Sequence, residues 1–183
     1  MIEQRMEFFL KFVTQPTKIG SITPSSSFLT REMLEKLPWD NINTLVELGA
    51  GTGVFTNYIA EKKKSDCRVL VFEQSEEMNM SLKERHPDFF YAQKAQHLLA
   101  EMAEYNLPKA DCIVSGLPFT IIPEKICDEI MQGVYDGLSD DGVFVAFQYS
   151  PYMYGRLKRY FNHVETGFVL LNMPPAFVYK CRK

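Results

Sequence analysis

Apolar and polar positions along the chain follow two alternating periods. Runs of consecutive apolar residues, as expected of strands buried on both faces, fall at positions 44–48, 68–73, 110–115 and 142–148, with a weaker run at 89–92. Stretches of helical length and spacing separate them, at 54–64, 76–85, 95–105 and 123–137. This β-α-β rhythm predicts a mainly parallel sheet with helical crossovers. The rhythm breaks near the end, where runs at 165–171 and 176–180 are joined only by Asn172-Met173-Pro174-Pro175. So short a link cannot form a parallel crossover, and an antiparallel hairpin is predicted instead. The expected architecture is α/β: a seven-stranded, mainly parallel sheet closed by a C-terminal antiparallel hairpin. One domain over 1–183 is expected, with a helical lead-in at 1–38 and the sheet core at 44–183.

Composition narrows the class. With 183 residues, 46% hydrophobic and 23% charged, the chain can bury a core without disulfides or metal. No apolar run approaches the roughly 20 residues of a membrane-spanning helix. The opening MIEQRMEFFLKF carries acidic residues and lacks a small-residue cleavage site, unlike a secretory signal, so a cytoplasmic location is expected. Cys67, Cys112, Cys127 and Cys181 form no C-x-x-C pair, and His86, His97 and His163 are dispersed, so free thiols and no metal are expected. Net charge is −3, distributed unevenly: +1 over residues 1–18, −9 over 19–150 and +5 over 151–183. Basic ends of this kind attract anionic lipid or nucleic acid, or form a solvated edge.

The chemistry begins at Glu47-Leu48-Gly49-Ala50-Gly51-Thr52-Gly53, between the first apolar run and a helix. Glycines there permit a tight turn and leave room for a ligand at the carboxyl end of a strand. The spacing is G-x-G-x-G, not the G-x-G-x-x-G of pyrophosphate-binding dehydrogenases. That favours S-adenosyl-L-methionine (SAM) as the cofactor. Glu47, Gly49, Ala50, Gly51 and Gly53 are therefore cofactor candidates, Glu47 as an acid that orders the loop and meets the methionine portion. The second strand ends in Glu73, 20 residues beyond Gly53, with Gln74 beside it. A carboxylate at that point can accept hydrogen bonds from both ribose hydroxyls. After the fourth strand comes Ser115-Gly116-Leu117-Pro118-Phe119. It is related to the Asp/Asn/Ser-Pro-Pro-Tyr/Phe loop of amino-methylating enzymes, with Gly116-Leu117 in place of the first proline. In such a loop carbonyl dipoles and an aromatic face favour a developing ammonium. Ser115, Leu117, Pro118 and Phe119 are the candidate transfer residues and Gly116 a cofactor contact.

An antiparallel strand closing a parallel, Rossmann-like sheet is the arrangement of class I methyltransferases. Over nearly its whole length the chain resembles the bacterial phospholipid N-methyltransferases of the soluble, SAM-dependent type, themselves similar to rRNA adenine dimethylases. The likeness rests on Phe8-Phe9, Phe12 and Pro16, on Ile19-Gly20-Ser21-Ile22-Thr23-Pro24-Ser25-Ser26 and on the glycine loop. It continues through Ser115-Gly116-Leu117-Pro118, Gln148-Tyr149-Ser150-Pro151 and Asn172-Met173-Pro174-Pro175-Ala176. The resemblance implies stepwise methyl transfer from SAM to the amine of phosphatidylethanolamine at a membrane surface, without metal. It also implies a helix beginning at the Pro-Ser-Ser segment beside the cofactor, which makes Ser25 and Ser26 contacts, and a tyrosine, Tyr149, that lines the substrate side. Because such an amine is largely protonated at pH 7, Tyr149 is either the group that takes its proton or a core tyrosine with a satisfied hydroxyl. Two features depart from the pattern. Gln93-Lys94-Ala95-Gln96 stands where many relatives have Gly-Asp-Ala, leaving adenine to Gln96 or to backbone alone. The connection at 151–164 is short, with little material to enclose a bulky acceptor.

The first residues bear on the acceptor. On a helix Met6, Phe9, Leu10 and Val13 share a face that Phe8 and Phe12 widen, opposite Gln4, Glu7 and Lys11. Such a face either enters the interface of an anionic membrane or covers the cofactor pocket. Three functions compete: a lipid amine methyltransferase, an RNA adenine or small-molecule methyltransferase, and a SAM-binding module without activity. RNA is disfavoured by the acidic net charge and the lack of an RNA-binding domain.

Overall fold

A computed structural model describes residues 24–172 and 174–183. Helix α1 (Pro24–Leu34) precedes β1 (Thr44–Leu48), α2 (Val54–Lys62), β2 (Arg68–Phe72), α3 (Glu76–Arg85) and β3 (Phe90–Ala92). There follow α4 (Leu98–Glu104), β4 (Ala110–Ser115), α5 (Glu124–Gly137), β5 (Leu138–Gln148), α6 (Met153–Tyr160), β6 (His163–Val169) and β7 (Ala176–Arg182). The seven strands form one sheet in the order β3-β2-β1-β4-β5-β7-β6. β1 to β5 pair in parallel, and β7 runs antiparallel to both β5 and β6. This is the Rossmann-like class I methyltransferase topology that the apolar runs predict.

Continuous apolar runs became central strands because both faces of the sheet are covered. Val46, Leu48, Leu70, Phe72, Ile113 and Phe144 face Leu98, Met131, Val134 and Leu157 of α4, α5 and α6. Leu45, Val69, Val71, Val114 and Val145 pack on the other side with Met33, Leu34, Ile59 and Leu82 of α1, α2 and α3. Alternate residues of each strand thus serve alternate cores.

Four local readings change. The 95–105 stretch divides into a 3-10 turn, Ala95–His97, and the short helix α4. β5 begins at Leu138, four residues before the apolar run, because Ser139, Asp140 and Asp141 form a partly exposed start with irregular pairing near Ala110. β6 is shifted to His163–Val169, which leaves Leu170 and Leu171 in the turn. The connection at 151–164 contains α6. Its buried face mixes Met153 and Leu157 with Arg156, a charge that hides the helical period. Arg156 is held there by Asp128 and by Glu124 at 3.2 Å, both on α5. The apolar face from Met6 to Val13 lies outside the described residues.

The entry to the sheet is fastened electrostatically. One oxygen of Asp111, Oδ2, accepts the amides of Asn43 (2.7 Å) and Thr44 (3.0 Å), tying the start of β1 to β4. Charge-assisted bonds of this kind contribute about 1–3 kcal/mol. Asp111→Ala should lower the unfolding free energy by about that amount in urea denaturation, without altering ligand affinity at the opposite end of the strands.

Candidate active site

The strand order reverses between β1 and β4, and ligands of open α/β sheets bind at the carboxyl ends beside such a reversal. The turn after β1 is wound by Gly49, Gly51 and Gly53, at φ of 76°, 55° and 88°. All three adopt the left-handed backbone that favours glycine, and two are also crowded by leucine side chains. A Cβ on Gly49 would lie 2.8 Å from Leu117 Cδ2, and one on Gly53, the cap of α2, would lie 2.6 Å from Leu82 Cδ2. The turn is fixed by Gly49 and Ala50, which donate to Phe72 O at 2.8 and 3.1 Å, and by Gly116 N, which donates to Leu48 O at 2.8 Å.

Glu73 is half-buried at the end of β2. Its Oε2 accepts the Gly51 amide at 2.6 Å and its Oε1 the Ser75 amide at 2.8 Å. Each oxygen keeps a further lone pair, so the carboxylate can still accept from a vicinal diol. Gln74 beside it is exposed, as are Gln93 and Lys94, whereas Gln96 is half-buried in the turn after β3. Ser25 and Ser26 fall in the first turn of α1, whose body packs against α2, β5, β6 and β7. Their side chains lie outside the described residues.

Glu47 is completely buried, and neither of its carboxyl oxygens nor the nearby Thr56 Oγ1 has a partner in hydrogen-bonding geometry. Burial raises its pKa from the ordinary 4.5 to about 8, with Glu73 adding to the rise and the Thr56 hydroxyl and amide restraining it. A buried carboxyl met only loosely, by Thr56, beside a glycine turn could receive a ligand that brings donors or a cation, such as the ammonium of SAM. Thr56 carried no motif in the sequence.

The turn after β4 forms the other wall. Ser115 is buried and its Oγ accepts the Leu117 amide at 3.3 Å. Leu117 O accepts from Gln148 Nε2 at 2.8 Å, and Pro118 is half-buried. Phe119 is only 2% exposed and belongs to the core cluster on the α5 side, so its ring supports the turn from beneath. Gln148 is a site residue that sequence reasoning quoted but gave no role. Tyr149 is half-buried, edge-on to Phe147 at 5.5 Å between ring centroids. Burial pushes its phenol up to about 12, with a hydrogen bond to Asn172 pulling the other way. A tyrosine so placed, at the end of β5 and against the hairpin turn, can hold a partner through its hydroxyl. Among the described residues no group of His, Cys, Asp or Glu is placed to hold a metal ion.

The family described as "Methyltransferase domain" matches residues 45–142, and the chain is 34% identical to ornithine lipid N-methyltransferase of Singulisphaera acidiphila over 96% of both chains. The chain belongs to the methyltransferase domain family. It is a class I, SAM-dependent methyltransferase. The solved N-methyltransferase NodS of Bradyrhizobium japonicum WM9, in complex with S-adenosyl-L-homocysteine, superposes with a TM-score of 0.72 at 14% identity, covering 100% of this chain and 98% of that one. Precorrin-6y C5,15-methyltransferase of Geobacter metallireducens does so with 0.68 at 15% identity, over 92% and 93%. Both share the fold of this methyltransferase.

The buried acid sets a pH dependence for the ligand-free methyltransferase. Unfolding exposes Glu47, which then loses its proton at 4.5 while the folded form keeps it to about 8. Within that window the unfolded state binds fewer protons, so stability falls as pH rises. Thermal unfolding followed by circular dichroism should show this decline in the wild type and a flatter profile in Glu47→Gln.

Proposed function

We propose that this methyltransferase transfers methyl groups from SAM to the primary amine of a membrane aminolipid, working from the cytoplasm at the inner membrane face. The observation that carries the reading is the end-to-end likeness to an ornithine lipid N-methyltransferase, 34% identical over 96% of each chain. Two membrane aminolipids, ornithine lipid and phosphatidylethanolamine, present such a primary amine at the headgroup.

In this reading Glu73 and Gln74 hold the ribose, Gln96 lies along the adenine, and Ser25, Ser26, Glu47 and the turn from Gly49 to Gly53, with Ala50, enclose the methionine portion. Gly116 closes the pocket from the other wall. The cofactor, when bound, supplies a methyl group already activated on a sulfonium. The protein therefore has to orient a neutral amine and exclude water, and proximity supplies much of the rate. Ser115, Leu117 and Pro118 form the edge that receives the amine, with Phe119 beneath them. Gln148 clamps the Leu117 carbonyl at 2.8 Å and so fixes the direction of its dipole. The protonated Tyr149 phenol holds the acceptor in place, and the amine's own proton is shed to solvent before enclosure.

The acceptor can be identified directly. Incubation with methyl-labelled SAM and, separately, ornithine lipid, phosphatidylethanolamine, RNA and soluble amines should label one of the two lipids. Label confined to RNA or to a soluble amine would refute the lipid reading. On the cofactor side, Glu73→Gln replaces an acceptor oxygen by a donor facing a backbone amide. By calorimetry SAM affinity should fall about ten- to a hundred-fold, the equivalent of one or two charge-assisted hydrogen bonds.

A further inference from the structure

At the sheet edge the β6–β7 hairpin exposes apolar side chains where edge strands ordinarily carry charge. Phe168 is 55%, Leu170 69% and Leu171 66% exposed, and no charged residue occurs between Glu165 and Lys180. The tip is braced. Phe168 packs on Phe177 with centroids 4.9 Å apart, and the nearly buried Asn172 donates from Nδ2 to Pro174 O at 2.6 Å. Because Phe177, near the start of β7, pairs with Gln148 at the end of β5, the tip lies at the same end of the sheet as the candidate active site.

Beside it, α6 starts from that same end. Tyr152 and Tyr154 are 63% and 40% exposed, the Lys158 ammonium reaches back to 5.2 Å from the Tyr154 ring centroid, and Arg159 is exposed next to it. The segment from Tyr152 to Phe161 contains no acidic residue, and the carboxylates packed against it, Glu124 and Asp128 of α5, are engaged by Arg156. Protruding leucines flanked by tyrosines and basic side chains are what a membrane–water interface selects.

We propose that the hairpin tip and the start of α6 dock the enzyme on an anionic bilayer, with Phe168, Leu170 and Leu171 entering the headgroup boundary and Tyr152, Tyr154, Lys158 and Arg159 lying among the headgroups. The inference rests on the aminolipid reading above and extends it. Asn172 of the turn also hydrogen-bonds the Tyr149 phenol, so an amine beside Tyr149 leaves its acyl chains at the tip. Charge complementarity selects a lipid surface over a protein partner: the exposed cations lie on the helix that starts from the same end of the sheet as the apolar tip, and the tip from Thr166 to Tyr179 supplies no acid.

The test uses the full chain and vesicles of phosphatidylcholine with and without phosphatidylglycerol, by sedimentation at low and high salt. Leu170→Ser/Leu171→Ser should bind phosphatidylglycerol vesicles about ten-fold more weakly than wild type, or worse, at either salt concentration. Lys158→Ala/Arg159→Ala should lose only the part of binding that salt also removes. Both variants, being altered at exposed positions, should keep the wild-type unfolding midpoint and methylate a short-chain, detergent-dispersed aminolipid within about two-fold of its rate. Wild type that ignores anionic vesicles, or undiminished binding by the leucine variant, overturns the proposal. So does a leucine variant that merely converts a dimer to a monomer in analytical ultracentrifugation while still binding vesicles, because the tip would then be covered by a second copy. Vesicle binding that follows the expected pattern without methylation of any aminolipid sustains the docking surface and refutes the acceptor reading instead.

Discussion

The carboxylate of Glu73 accepts the amides of Gly51 and Ser75 at once, and this ties the turn after β1 to the turn after β2. The Ser75 amide sits at the cap of α3, where backbone donors otherwise lack partners, and the Gly51 amide lies in the turn that leads into α2. A charged acceptor shared between them is a strong brace, since charge-assisted bonds to backbone amides are shorter and stronger than neutral ones. The β1 turn in turn reaches the β4 turn through the bond from Gly116 to Leu48 and the contact of Gly49 with Leu117. The two turns that the proposed reading assigns to cofactor and acceptor are thereby positioned from one carboxylate outward.

The site keeps a feature that stability alone would remove. A buried carboxyl at Glu47, met only loosely by Thr56, disfavours the folded chain as soon as the unfolded form can ionise. An apolar residue would pack there without that penalty, as Leu45 and Val46 do nearby. A polar group retained under the cofactor turn is consistent with a ligand that satisfies it on binding, which trades ligand-free stability for recognition.

On the acceptor side the organising residues come from the ends of the chain's last strands. Gln148 closes β5 and anchors Leu117, and Asn172 in the hairpin turn meets Tyr149. The antiparallel hairpin does more than finish the sheet: it brings a turn far along the chain against the residues that follow β5. Arg156, paired with Asp128 and Glu124, seats α6 across α5 on the same side. Removing either carboxylate would leave a buried guanidinium without full compensation.

Apolar patterning and link length were enough to foresee parallel strands and a closing antiparallel hairpin, because strands covered on both faces must be apolar at every position and short links forbid crossovers, whereas the order of the strands came from their pairing. The sequence also marked Gly49, Gly53 and Glu73, where steric and hydrogen-bonding demands leave few residue types. The start of β5 and helix α6 were hidden, since Asp140, Asp141 and Arg156 contradict local apolar periodicity and are tolerated only through tertiary exposure or ion pairing. Likewise burial and long-range contacts alone placed Phe119 in the core, Gln148 against the turn after β4, and Asn172 against Tyr149. Burial and long-range pairing set those properties, and neither is a function of neighbours in the chain.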